Sequence, residues 1–255
     1  MLYAFGITDA GKVRKTNEDA FVSEPALRLF AVADGMGGHN AGEVASGLAI
    51  DALTTFIKRS SSDTDFSWPY GIDRTLSFDG NRLRTGIHLA NRRVYRAAES
   101  SDDYSGMGTT IAGLLVNGST VSIGHVGDSR AYLFSNQTLH SLTRDDSWAA
   151  TILAQDPAFK PEEIAQHPMR NVLTSVLGAR ENVDVHLAER PLVSGDLLML
   201  CSDGVHGVVS PDTIRDILTS TTDLEAASRR LIEAAMDKGS RDNVTAVVVR
   251  YEAER

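Results

Sequence analysis

Four aspartates stand at the ends of apolar runs, and they are the residues with which this chain could do chemistry. Asp34 closes Leu29-Phe30-Ala31-Val32-Ala33 and is followed by Gly35-Met36-Gly37-Gly38-His39. Asp203 comes one serine after Leu197 to Cys201, Asp128 one glycine after Ser122 to Val126, and Asp242 just before Val244 to Tyr251. An apolar run ending in a carboxylate delivers it from a buried strand to a sheet edge, and glycines there let the backbone turn tightly around whatever is held. A single Asp-Gly pair is most often just a turn. Four aspartates in one context are different, because antiparallel pairing of their strands would gather them at one rim. Hard oxygen ligands without a His or Cys cluster select Mg²⁺ or Mn²⁺ over zinc.

Other catalytic templates are poorly supported. Cys201 has Gly207 where a cysteine-dependent phosphatase needs its phosphate-binding arginine, and no Gly-x-Ser-x-Gly elbow exists. Neither nucleotide-loop spacing is present around Gly35, Gly37 and Gly38. The seven histidines, among them His88, His125 and His206, form no zinc spacing and read as structural.

The elements that must position the aspartates are read from periodicity. Leu2 to Thr8 and Ala20 to Val22 read as strands with a hairpin-like return between them, and Leu27 to Ala33 as the strand that carries Asp34. A helix from about Ala41 to Arg59 follows, with Asn40 and Glu43 at capping-box spacing. Leu83, Ile87, Ala90, Val94 and Ala97 mark a second, amphipathic helix whose Arg82, Arg84, Arg92, Arg93 and Arg96 read as a solvated basic face. Ile111 to Leu142 reads as a meander of antiparallel strands, with Asn117-Gly118 as a hairpin turn. Prolines at 157, 161 and 168 break up a small flap, about 146–170. Ser210 and Pro211 open one late helix, and Asp223 to Lys238 forms another. No repeat or boundary divides the chain, so 1–255 is expected to be a single domain.

Composition agrees with a soluble, cytoplasmic protein. At 255 residues with 42% hydrophobic and 23% charged residues, the chain can bury a core without staples. The lone Cys201 allows no internal disulfide and reads as a small buried hydrophobe. No stretch is long and apolar enough to span a membrane, and a net charge of -9 argues against nucleic acid and acidic membranes as partners.

Six segments together resemble the PP2C-type (PPM) metal-dependent Ser/Thr protein phosphatases, specifically compact bacterial members. They are Arg14 to Ala20, Val32 to His39, Gly106 to Thr110, Val126 to Arg130, Cys201 to Val205 and Arg241 to Thr245, in the family's order and across nearly the whole chain. The resemblance implies an α+β, four-layer α-β-β-α sandwich: two antiparallel sheets flanked by helices, with the metal centre at one end. It implies that Asp34 bridges two Mn²⁺ or Mg²⁺ ions, that the Gly35 carbonyl binds the second, and that Asp203 and Asp242 bind the first. Glu18 is similar to the acidic residue that orients water on the second ion, Arg14 to the phosphate-binding arginine, and Asp128 to a ligand of a third, weaker ion. The implied reaction is direct attack by a water bridging two ions on phosphoserine or phosphothreonine. Partners would be phosphorylated proteins and an opposing Ser/Thr kinase, with the phosphatase a monomer. Met36 departs from the pattern of animal members, which carry histidine there as a candidate acid; His39 or a metal-bound water are the candidates here. The alternative is a catalytically silent phosphoprotein-binding module of the same fold.

Overall fold

A computed structural model describes residues 1–38, 41–62, 67–155, 164 and 167–253. Two antiparallel sheets form its centre. The first contains β1 (Leu2–Asp9), β11 (Val244–Tyr251), β10 (Leu197–Cys201), β7 (Arg130–Ser135) and β8 (Thr138–Ser141), in that order. The second runs β2 (Asp19–Glu24), β3 (Leu29–Met36), β5 (Ile111–Asn117), β6 (Thr120–Val126) and β9 (His186–Pro191), with the two-residue β4 (Gly108–Thr109) beside β3.

The central strands read as unbroken apolar runs because both of their faces are covered. Along β10, Leu198 and Leu200 point between the sheets while Leu197, Met199 and Cys201 point outward to the helices Pro211–Ser220 and Leu224–Asp237. In β3, Phe30 and Val32 point inward, whereas Leu29 and Ala31 meet the pair α1 (Ala41–Ser62) and α2 (Phe78–Ser100). This two-residue alternation divides the core into three layers and produces the four-layer sandwich implied by the resemblance. Cys201 is fully buried, and burial pushes its thiol up to about 12. Ser77 caps α2, Ser210 and Asp223 cap the two late helices, and Pro211 takes the first turn as expected.

Three expectations are corrected. No hairpin joins β1 to β2: β1 pairs with β11 and β2 with β3, so the polar stretch 10–18 crosses the roughly 10 Å between sheets. The meander is two hairpins, β5–β6 in one sheet and β7–β8 in the other, separated at Gly127, whose φ of +95° makes the sharp turn. Arg82 is not solvated. It is buried against Asp79, the Ser60 hydroxyl and the Ile57 carbonyl, leaving the other arginines of α2 as the more exposed set.

Of the flap, α3 (Trp148–Gln155) and residues from 167 onward are described, with Trp148 stacked on His167 at 4.2 Å between ring centroids. Residues 156–163, 165 and 166 of the flap, and Asn40 of the expected capping box, lie outside the described residues.

Candidate active site

Antiparallel order places the ends of β3, β6 and β10 and the starts of β2 and β11 at the same rim. There Arg14, Glu18, Asp34, Gly35, Asp128, Asp203 and Asp242 line one cleft of about 250 Å³. All of the expected site residues but one therefore converge. His39 lies outside the described residues.

Asp34 is fixed through its backbone. Its N–H donates to the Thr110 hydroxyl at 3.0 Å, and its carbonyl accepts from the Thr110 N–H and the Thr109 hydroxyl, both at 2.9 Å. The following Gly35 is required by space. A Cβ there would lie 2.0 Å from the Gly42 carbonyl oxygen and 2.6 Å from that of Glu18. A Cβ on Gly42 would in turn meet the Glu18 carboxylate at 2.7 Å, so two bare backbones let Glu18 sit against the first turn of α1. The Gly42 N–H then bonds the Glu18 carboxylate, although desolvation is the larger influence and raises its pKa.

The loop bearing Arg14 and Glu18 is clamped by Asn243, which had no assigned role in the sequence. Its side-chain oxygen accepts from the Glu18 N–H at 2.8 Å, and its amide donates to the Ala10 and Thr16 carbonyls at 3.0 and 2.9 Å. Asn243→Ala removes three part-buried hydrogen bonds from a buried side chain, so a loss of about 2 kcal/mol is expected. Thermal denaturation checks the stability, and a raised KM reports displacement of Arg14.

Asp19 is a second residue without a prior assignment. It pairs in register with Asp34, is buried, and accepts from the Ser202 and Thr245 hydroxyls at 2.8 and 2.6 Å. Its other oxygen, like Oδ1 of Asp203, is buried without a hydrogen-bond partner. Arg14 donates to Asp242 Oδ2 at 2.7 Å, and the guanidinium is half exposed.

The electrostatics match a site for cations. Burial, and then the neighbouring aspartates, hold Asp34 well above the usual carboxylate range, push Asp128 up to about 7 and raise Asp203. Burial also takes Asp19 to about 6 against the opposing hydroxyl bonds. Among the described residues, no three acidic, His or Cys side chains are grouped tightly enough to hold an ion as they stand. Asp242 is paired with Arg14. Orphaned oxygens, mutual repulsion and a donor set made only of oxygen nevertheless fit Mn²⁺ or Mg²⁺.

A pH dependence follows. A carboxyl whose folded pKa is raised stays protonated where the unfolded chain has released its proton, so metal-free stability falls as pH climbs from about 4 through about 7. Each unit corresponds to about 1.4 kcal/mol. Half-buried His206, held down to about 4 chiefly by desolvation, has the opposite sign but is present with or without metal. The increase in Tm caused by Mn²⁺ should therefore grow between roughly pH 5 and 7.5, as carboxylates lose the protons that compete with the ion. Scanning calorimetry at several pH values, with Mn²⁺ and with EDTA, measures it.

Carboxylates suited to cations beside a guanidinium suited to an anion define a site for a phosphorylated ligand. A family model described as Protein phosphatase 2C matches residues 11–241, and the chain belongs to that family. It is 36% identical to the serine/threonine phosphatase stp of Listeria welshimeri over 95% of this chain and 93% of the relative. It is 38% identical to the serine/threonine protein phosphatase PstP of Mycobacterium tuberculosis over 94% of this chain, which spans only 43% of PstP. Among solved structures, that of PstP's catalytic domain in complex with two manganese ions matches with a TM-score of 0.81 and 34% identity, covering 98% of this chain and 97% of that one.

Proposed function

We propose that this protein hydrolyses phosphoserine and phosphothreonine in other proteins, with two Mn²⁺ or Mg²⁺ ions held in the rim cleft. The observation that carries this reading is the convergence of Asp34, Asp203, Asp242 and Arg14 in one cleft of a Protein phosphatase 2C chain. Asp34, the Gly35 carbonyl, Asp203 and Asp242 would hold the two ions, and Asp128 a third, weaker one. When bound, the ions supply a water acidic enough to attack at neutral pH and positive charge to offset the phosphoryl oxygens.

The chain's own groups do the rest. Arg14 exchanges Asp242 for the phosphoryl group, and its planar fork holds two oxygens at once, a geometry that lysine does not reproduce. Glu18, fixed on the Gly42 N–H, accepts a hydrogen bond from water and orients it. Met36 donates no proton, so the proton for the leaving serine or threonine oxygen would come from His39 or from a metal-bound water.

Residues 1–255, flap included, are read as one catalytic unit, a cytoplasmic monomer that opposes a Ser/Thr kinase. Among the described residues no helix is long and apolar enough to cross a membrane. A silent binding module is disfavoured because every described ligand residue and Arg14 reach the cleft. Hydrolysis of a phosphothreonine peptide with Mn²⁺, compared with EDTA, tests the reading. Turnover is expected only with the ion, and robust turnover in EDTA would sink it.

A further inference from the structure

We propose that His206 is a positioning residue that fixes the Gly127-Asp128 turn, so that the Asp128 carboxylate is presented to the cleft ready to bind a cation. The inference rests on the reading of Asp128 as a ligand of the weaker ion.

His206 ends the one-turn helix Asp203–His206, whose first residue is the candidate ligand Asp203. Its Nε2 lies 2.9 Å from the Asp128 carbonyl oxygen. A carbonyl only accepts, so Nε2 carries the ring hydrogen and donates it. Asp128 follows β6 in one sheet and Asp203 follows β10 in the other, so this single bond references two carboxylates from different sheets to each other.

The rest of the turn is held by other contacts. The Gly127 N–H donates to Asp146 Oδ2 at 3.0 Å, and the Gly127 carbonyl accepts from the Asp146 N–H at 2.9 Å. The neighbouring Asp145 receives a two-pronged bond from Arg130, at 2.8 and 2.7 Å. Ser129 contacts the Thr110 hydroxyl at 2.7 Å, and that hydroxyl also accepts from the Asp34 N–H. With Gly127 N–H, Gly127 C=O and Ser129 fixed, the Asp128 peptide is the remaining freedom of the turn, and His206 removes it. A ligand set in advance loses little entropy when the ion arrives, which is how groups behind a metal ligand strengthen binding.

The experiment is a calorimetric Mn²⁺ titration of the full chain, with thermal melts to confirm folding. Wild type, Asp128→Asn, His206→Gln, His206→Asn and His206→Leu are compared. Gln places an amide N–H near the position of Nε2, while Asn is too short to reach it. The Mn²⁺ binding that Asp128→Asn removes should weaken roughly 10–100-fold in His206→Asn and His206→Leu, and stay within about threefold in His206→Gln. In the Asp128→Asn background, His206→Asn should change nothing further. If His206→Leu fails to fold, the Gln and Asn pair still decides. Equal Mn²⁺ binding by those two, with Asp128→Asn still weakening it, overturns the inference alone. Binding unaffected by Asp128→Asn overturns the assignment of Asp128 together with the inference.

Discussion

Asp203→Asn is expected to lower turnover of a phosphothreonine peptide by at least about 100-fold, since even groups that only orient a metal ligand cost 10–100-fold when removed. The same change should make the metal-free protein more stable. Asp203 sits beside Asp34 and Asp242, its charge is disfavoured by burial, and its Oδ1 has no partner. An amide of the same shape carries no charge and can donate to the neighbouring carboxylates. Relief of even 1 kcal/mol raises Tm by roughly 2–4 °C in a chain of this size. The increase in Tm produced by Mn²⁺ should shrink at the same time. Turnover within threefold of wild type, with the full Mn²⁺ effect on Tm, would show that Asp203 holds no ion.

Gly35→Ala is the second large effect, and its origin is steric. The added methyl would sit 2.0 Å from the Gly42 carbonyl oxygen, a backbone atom that cannot rotate away. Either α1 and the Glu18 segment move off β3, or the variant does not fold. Overpacking against a fixed neighbour costs about 1–3 kcal/mol, and collision with backbone belongs at or above the top of that range. The control is Gly38→Ala, where a Cβ meets nothing within 4 Å, so stability should stay within about 0.5 kcal/mol. Chemical denaturation of both variants separates a demand for space at Gly35 from a general preference for glycine in this loop.

The four aspartates were legible because each lies at the end of a strand whose apolar run is visible in the sequence. Their common rim was legible as well, once the strands were taken as antiparallel. What supports them was not. Asn243 acts on residues more than 220 positions earlier, and Asp19 receives hydroxyls 183 and 226 positions away. Gly42 looked like an ordinary residue of α1, since nothing local shows that the Glu18 carboxylate will lie against it. The partner of β1 is hidden for a related reason: β11 lies at the far end of the chain, while a short polar connection favours the nearer strand. Arg82 sits where α2 faces α1, a face that the spacing of apolar residues alone does not mark.

The rim joins two sheets whose facing surfaces pack through an apolar layer. Glu18, Asp34 and Asp128 belong to one sheet's edge, and Asp203 and Asp242 to the other's. On the proposed ligand assignment, an ion shared between them would act as a removable rivet across the open end of the sandwich, stabilising by mass action with the logarithm of its concentration relative to its Kd. If the ions bind as proposed, starvation for them would do more than stop turnover: the apolar layer between the sheets would remain, but the rim would lose its tie, and resistance to proteolysis would fall with the supply of the ion.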